Sequence, residues 1–173
     1  MRKKIPLKAI PDEYEKFNQQ LHEVTLPSGF SEFLLYVLSE MFSNISEHSE
    51  ATLANLLVRL LNRQCAVEIG DNGIGLRSSY EKKEIYPKDD FAAIQFALSG
   101  LSTKNFKERG YGFYSTRKLV SQNKGKLYVY SGIAKVEITH SETKLNHARK
   151  KLKGVSVRIE IPVRKIDFYK FIE

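Results

Sequence analysis

Between residues 30 and 45, apolar side chains recur at three- and four-residue spacing. Phe33, Leu34, Val37, Leu38, Met41, Phe42 and Ile45 share one face, and that period predicts a buried amphipathic helix. Glu40, Asn44 and His48 stand four apart and form a polar stripe beside it. Upstream, Pro11-Asp-Glu-Tyr predicts a helix start, with Tyr14, Phe17 and Leu21 on its apolar side. Residues 25–29 read as a loop. Residues 50–64 are ambiguous: Leu53, Leu56, Leu57, Leu60 and Leu61 have helical spacing, yet the segment runs through Asn62-Arg-Gln64, a candidate tight turn, into the strand-like 65–69. Residues 91–98 predict a short apolar helix, 99–109 a polar basic loop and 114–122 a further helix. The last third predicts strands at 126–130, 134–139 and 155–163, with Gly132 as the turn between the first two. Val155, Val157, Ile159 and Ile161 point one way, and Ser156, Arg158 and Glu160 the other, which predicts a sheet with one wet face. The tail, 166–172, reads as a packed helix or a partner-binding segment.

Three places on this frame carry candidate chemistry. The stripe Glu40, Asn44, His48 offers a carboxylate that can orient a water or act as a base. It also offers an amide oxygen suited to Mg²⁺. By itself it reads first as a polar edge facing water. Asp71-Asn-Gly73-Ile-Gly75 ends a strand with an acid and two glycines. Glycine permits close backbone approach, and the carboxylate can accept from an exocyclic amine. An ordinary Asp-Asn-Gly turn has the same sequence. Gly110-Tyr111-Gly112-Phe113 stands before a helix and behind a loop containing Ser102, Thr103, Lys104, Lys107 and Arg109. Amides and dipole at such a helix start favour an anion. The Walker order is missing, as is a full Gly-x-Gly-x-x-Gly.

Composition narrows the class. At 173 residues, with 42% hydrophobic residues, ten Phe and nine Tyr, the chain supports one domain with a core. Its single cysteine, Cys65, excludes an internal disulfide and suggests a reducing, cytoplasmic setting. Apolar neighbours make Cys65 a buried small residue. No run approaches a membrane span of about 20 residues. The net charge of +8 favours acidic partners. Its densest cluster, 144–153, centres on Arg149-Lys-Lys151 and reads first as a solvated loop. No aromatic interleaves it, which weakens a single-strand stacking model. His22-Glu23 matches a sensor-kinase phosphoacceptor dipeptide, but not the long helical hairpin that should surround it.

The ordered set Glu40-x3-Asn44-x3-His48, Asp71-x-Gly73-x-Gly75, Gly110-x-Gly112-Phe and the closing segment 154–162 resembles the ATP-binding domain of the GHKL superfamily: gyrase, Hsp90, histidine kinases, MutL and anti-sigma serine kinases. The resemblance covers about residues 30–163. It implies an α/β two-layer sandwich, with a mixed, mostly antiparallel sheet covered on one face by helices. It also implies a β-hairpin over 52–69, against the local helical spacing. For the site it implies Asn44 on Mg²⁺, Glu40 as base or water-orienting acid, and Asp71 on the adenine amine with Gly73 and Gly75 lining the base. Residues 76–109 would form a flexible lid, with Ser102, Thr103 and Lys104 as contacts. Gly110 and Gly112 would hold phosphate through their amides, flanked by Tyr111 and Phe113. His48 would be structural or phosphate-side. The family often has Gly-Thr in the last strand, where this chain has Gly154-Val155, so a hydroxyl contact there is in doubt, although Ser156 is adjacent.

The implied organisation is a helical extension (1–29), the ATP-binding domain (30–163) and a tail (164–173). On this reading, the roughly 29 residues before the core helix are expected to hold no phosphoacceptor hairpin, and no transducer domain is expected. The layout is therefore most similar to the anti-sigma serine kinases and other small signalling members. The implied cofactors are ATP and Mg²⁺. The leading expectation is an Mg²⁺-dependent ATPase or a serine/histidine-type kinase acting on a partner protein, a regulator or phosphorylation substrate. The alternative is a non-catalytic switch whose lid recruits a partner. A basic nucleic-acid binder ranks third. A homodimer stays open.

Overall fold

The computed structural model describes residues 1–101, 112–168 and 170. Its order is β1 (Arg2–Pro6), a 3-10 turn (Leu7–Ala9), α1 (Ile10–His22), α2 (Phe30–His48), β2 (Leu53–Leu61), β3 (Gln64–Asp71), α3 (Gly75–Glu81), α4 (Asp90–Leu98), α5 (Gly112–Gln122), β4 (Lys126–Ile138) and β5 (Thr143–Pro162). The five strands form one sheet in the order β1-β2-β3-β5-β4. Every pairing is antiparallel, within the expected α/β sandwich with a mostly antiparallel sheet.

One layer of helices covers one face of that sheet. The apolar face of α2 fills the centre: Phe30, Phe33, Leu34, Val37 and Leu38 are essentially inaccessible to solvent. They meet Leu56, Val67, Ile69, Val157, Ile159 and Ile161 from the strands. Burying side chains of this size contributes about 1.5–3 kcal/mol each, so α2 is fixed by its neighbours rather than by helix propensity.

Within residues 50–64, Leu53–Leu61 form β2, the first strand of the hairpin that the resemblance implied. The turn is Asn62-Arg63, both at positive φ, a left-handed pair that joins two strands tightly. Here cross-strand pairing overrides the helical spacing of the leucines, because alternate residues Ala54, Leu56 and Val58 are the buried ones.

Four expectations change. The N-terminal segment opens with an edge strand, β1, paired to β2 with Ile5 opposite Ala54. Gly132 is not a turn but an irregularity within one continuous strand, β4. At φ +58 it sits against the Asp90 carboxylate, which accepts from the Ile133 N–H at 2.8 Å. The basic segment 144–153 is not a loop but the first half of β5. The expected lid segment carries two helices, α3 and α4, which bury Tyr80, Ala93, Ile94, Ala97 and Leu98, while residues 102–109 lie outside the described residues. Asp89 caps α4 by accepting from the Ala92 N–H at 2.8 Å.

Candidate functional site

A cavity of about 230 Å³ opens where α2, the end of β3, α3 and the start of α5 converge. One wall is the polar stripe: Glu40, Asn44 and His48 all line it. The period that buries Phe33 to Ile45 turns this stripe away from the core and toward the opening. Met41, Ile45, Ile69, Leu76 and Val157 supply apolar surface.

Asp71 closes one end. It is 7% exposed, and both carboxylate oxygens are held by backbone. Gly73 N–H donates to Oδ1 at 2.7 Å, and Val155 N–H to Oδ2 at 3.3 Å. Burial pushes its pKa up, and those two amides partly oppose the rise. The carboxylate is therefore fixed in direction, and each oxygen retains further acceptor capacity. Gly154, at φ +85, makes this approach possible: a Cβ there would lie 2.6 Å from Asp71 Oδ1.

The Asp71 turn is tied to α2. Ile74 N–H donates to Ser49 O at 2.8 Å, and Ser49 Oγ–H donates to Ile45 O at 2.6 Å. Gly73 lies so close to Ser49 O that a side chain would overlap it. Leu76 N–H donates to Ser131 Oγ at 3.0 Å, which fastens α3 to β4. Gly75 lines the cavity at φ +81. Gly73 instead faces a second cavity behind the turn.

At the other end, Gly112 begins α5. A Cβ on it would overlap Glu40 Oε2 and would lie 3.5 Å from Asn44 Nδ2. The buried Nδ2 of Asn44 has no hydrogen-bond partner among the described residues. Buried amides are seldom left so, and this one lies at the cavity. Phe113 lines the same end. His48 lies 3.7 Å from the Glu47 carboxylate and remains partly exposed.

Glu40, Asn44, His48, Asp71, Gly75, Gly112 and Phe113 are thus gathered around one opening. Ser102, Thr103, Lys104, Gly110 and Tyr111 lie outside the described residues. Sequence reasoning missed Ser79 and Tyr80 of α3, which complete the wall. Tyr80 O–H donates to Leu101 O at 2.6 Å, and its ring meets Phe96 edge-on at 5.8 Å. Their stretch reads as polar in sequence and carries no periodic signal for them.

Residues 29–165 match the model of the family described as histidine kinase-, DNA gyrase B-, and HSP90-like ATPase. The chain belongs to this family. The GHKL resemblance is thereby borne out over most of the chain, and described residues from each of its three boxes line the cavity. Among similar solved structures is the catalytic domain of histidine kinase ThkA in a nucleotide-free form. It is 13% identical with a TM-score of 0.45, over 95% of this chain and 99% of that one. Another is the histidine kinase domain of the blue-light activated kinase EL346 from Erythrobacter litoralis. It is 14% identical with a TM-score of 0.43, over 92% of this chain and 62% of that one. No curated protein matches the sequence significantly. Among the described residues, no helix is long and apolar enough to cross a membrane.

Proposed function

We propose that this GHKL domain binds Mg²⁺-ATP in the cavity and hydrolyses it or passes its γ-phosphate to a partner protein. The observation that carries the reading is Asp71. A buried carboxylate clamped by two backbone amides at the end of a partly apolar cleft suits a flat base that presents an exocyclic amine. Met41, Ile69 and Val157 would cover the faces of that base.

The opposite end suits the phosphates. The N-terminus of α5 brings backbone N–H groups beside Glu40 and Asn44. Asn44, whose Nδ2 has no partner among the described residues, can turn its amide over to present the oxygen, so its chemistry fits Mg²⁺. No group of three or more His, Cys, Asp or Glu among the described residues is placed to hold a metal. A cation here would take most of its ligands from phosphate and water, with Asn44 as the protein ligand. Bound there, it would neutralise phosphate charge. Glu40 would orient the attacking hydroxyl or water, and positioning would supply most of the rate.

Titration calorimetry with Mg²⁺-ATP on wild type and Asp71→Asn tests the reading. Micromolar-range binding that is lost in the variant is the expected result. Equal affinity in both would remove Asp71 from the pocket. Turnover that survives Glu40→Ala would remove the catalytic assignment and leave an ATP-dependent binding switch.

A further inference from the structure

The basic segment of β5 is an irregular ribbon with a built neighbourhood. Ser131 pairs with Val155, and Ala134 pairs with His147. Between these pairs β4 advances three residues and β5 advances eight, so β5 carries five surplus residues. The surplus falls on the segment containing Arg149, Lys150, Lys151 and Lys153, all exposed. Among the described residues, none of these four cations enters an ion pair, whereas nearby Lys144 takes Glu142 and Lys82 takes Glu50.

The ribbon also borders a hollow. Lys151 and Lys153 line a second cavity of about 560 Å³ with Thr52, Asn72, Gly73 and Ile74. Its acid, Glu50, is the one engaged by Lys82. On the side away from β4, no strand among the described residues pairs with 143–154, because β3 joins β5 only from Ser156 onward. Edge lysines by themselves guard against aggregation. That role needs neither a bulge nor a cavity.

We propose that the ribbon 149–153 and its hollow form a docking surface for an extended acidic segment of a partner protein. An extended peptide matches an open strand edge, because its main chain can pair with the unpaired backbone. Its carboxylates would meet the four cations, none of which is ion-paired among the described residues. Nucleic acid fits less well: no aromatic lies in the ribbon to stack a base. The ribbon leads through Gly154 to Val155, whose N–H donates to Asp71, so a docked segment would end beside the cavity that Asp71 closes. The surface stands on its own residues and needs no nucleotide.

The test uses the full chain and a fluorescently labelled deca-glutamate peptide, followed by anisotropy at low and moderate salt. A ribbon variant carries Arg149→Gln, Lys150→Gln, Lys151→Gln and Lys153→Gln. A control variant carries Lys8→Gln, Lys118→Gln, Lys126→Gln and Lys165→Gln, the same loss of charge at exposed sites elsewhere. The expected result is salt-sensitive binding that weakens at least about tenfold in the ribbon variant and much less in the control. Lys151→Glu alone should weaken it in the same sense. Equal loss in both variants, or no peptide binding at all, overturns the proposal. So does an oligothymidylate of equal charge that binds the ribbon more tightly than the peptide does. Thermal unfolding of each variant separates lost docking from lost fold.

Discussion

Gly112 and Glu40 meet with no room for a side chain between them: a Cβ on the first residue of α5 would overlap the Glu40 carboxylate. The start of α5 and the Glu40 carboxylate of α2 are therefore in direct contact through a glycine. Gly112→Ala should push that carboxylate out of its place. Alanine is the better helix former, so stability in denaturant should stay within about 1 kcal/mol or rise. ATP affinity and turnover should fall by at least about tenfold, since small misplacements at a reacting centre are costly. Adenosine, which lacks phosphates, should bind as before. Unchanged turnover would show that Gly112 does not set the Glu40 position.

Asp71 gives a pH dependence with two opposite signs. Burial raises its pKa above the ordinary 3.8. Between 3.8 and the folded value, the folded chain holds more of this proton than the unfolded chain does. Its contribution to stability is thus fully present below 3.8 and is lost as pH rises through the folded value. In the proposed role the adenine amine donates to the carboxylate, so affinity should fall as pH drops through that same value. Subtracting Asp71→Asn from wild type isolates both curves. Wild type should gain stability relative to the variant on acidification while it loses its affinity advantage. Parallel movement of the two would refute the assignment.

Asn44→Ala should uncouple binding from Mg²⁺. The Nδ2 is buried, has no partner among the described residues and lies close to Gly112, so its removal breaks no hydrogen bond of that nitrogen and should cost little stability. ATP affinity in wild type should rise with Mg²⁺, and in the variant it should be nearly the same with the metal or with a chelator. A retained Mg²⁺ effect would place the cation on other ligands.

The helix 30–48 was legible because its period repeats five times and its polar stripe shares that period. The strand 155–163 was legible for a similar reason, with strict alternation about one buried face. The hairpin at 53–71 was not legible from pattern. Its leucines fit a helix locally, and only cross-strand pairing with β1 and β3 decides the matter. Gly132 reads as a turn because glycine at positive φ serves turns and bulges alike, and Asp90, which holds the bulge, lies 43 positions from Ile133, the residue whose N–H it accepts. The basic ribbon read as a loop because charge carries no period. At the site, Asp71 was legible as an acid before glycines, but its two amide clamps depend on Val155, a contact across 84 positions.

Cys65 should be chemically silent in the folded protein. It is 1% exposed at the β3–β5 pairing, and burial pushes its thiol up to about 12. The thiolate is the reactive form. Mild alkaline pH should therefore leave it unmodified by a maleimide, whereas addition of denaturant should release rapid labelling. Labelling of the native chain at the denatured rate would mean that the β3–β5 pair opens.

Gly154→Ala should differ from Gly112→Ala in its whole pattern. Gly154 sits at φ +85, where a side chain is strained, and its Cβ would overlap the Asp71 carbonyl oxygen. The strain alone costs about 1–3 kcal/mol, and the contact is with backbone that cannot swing aside. Relief requires β5 to move from the Asp71 turn, which breaks the Val155 N–H bond to Oδ2. Stability should fall, and the base end should be lost with it, so adenosine and ATP should weaken together. Denaturant unfolding followed by both titrations checks this. Loss of ATP binding with adenosine retained would mean that the base does not lie at Asp71, and the two ends of the cavity would have to be exchanged.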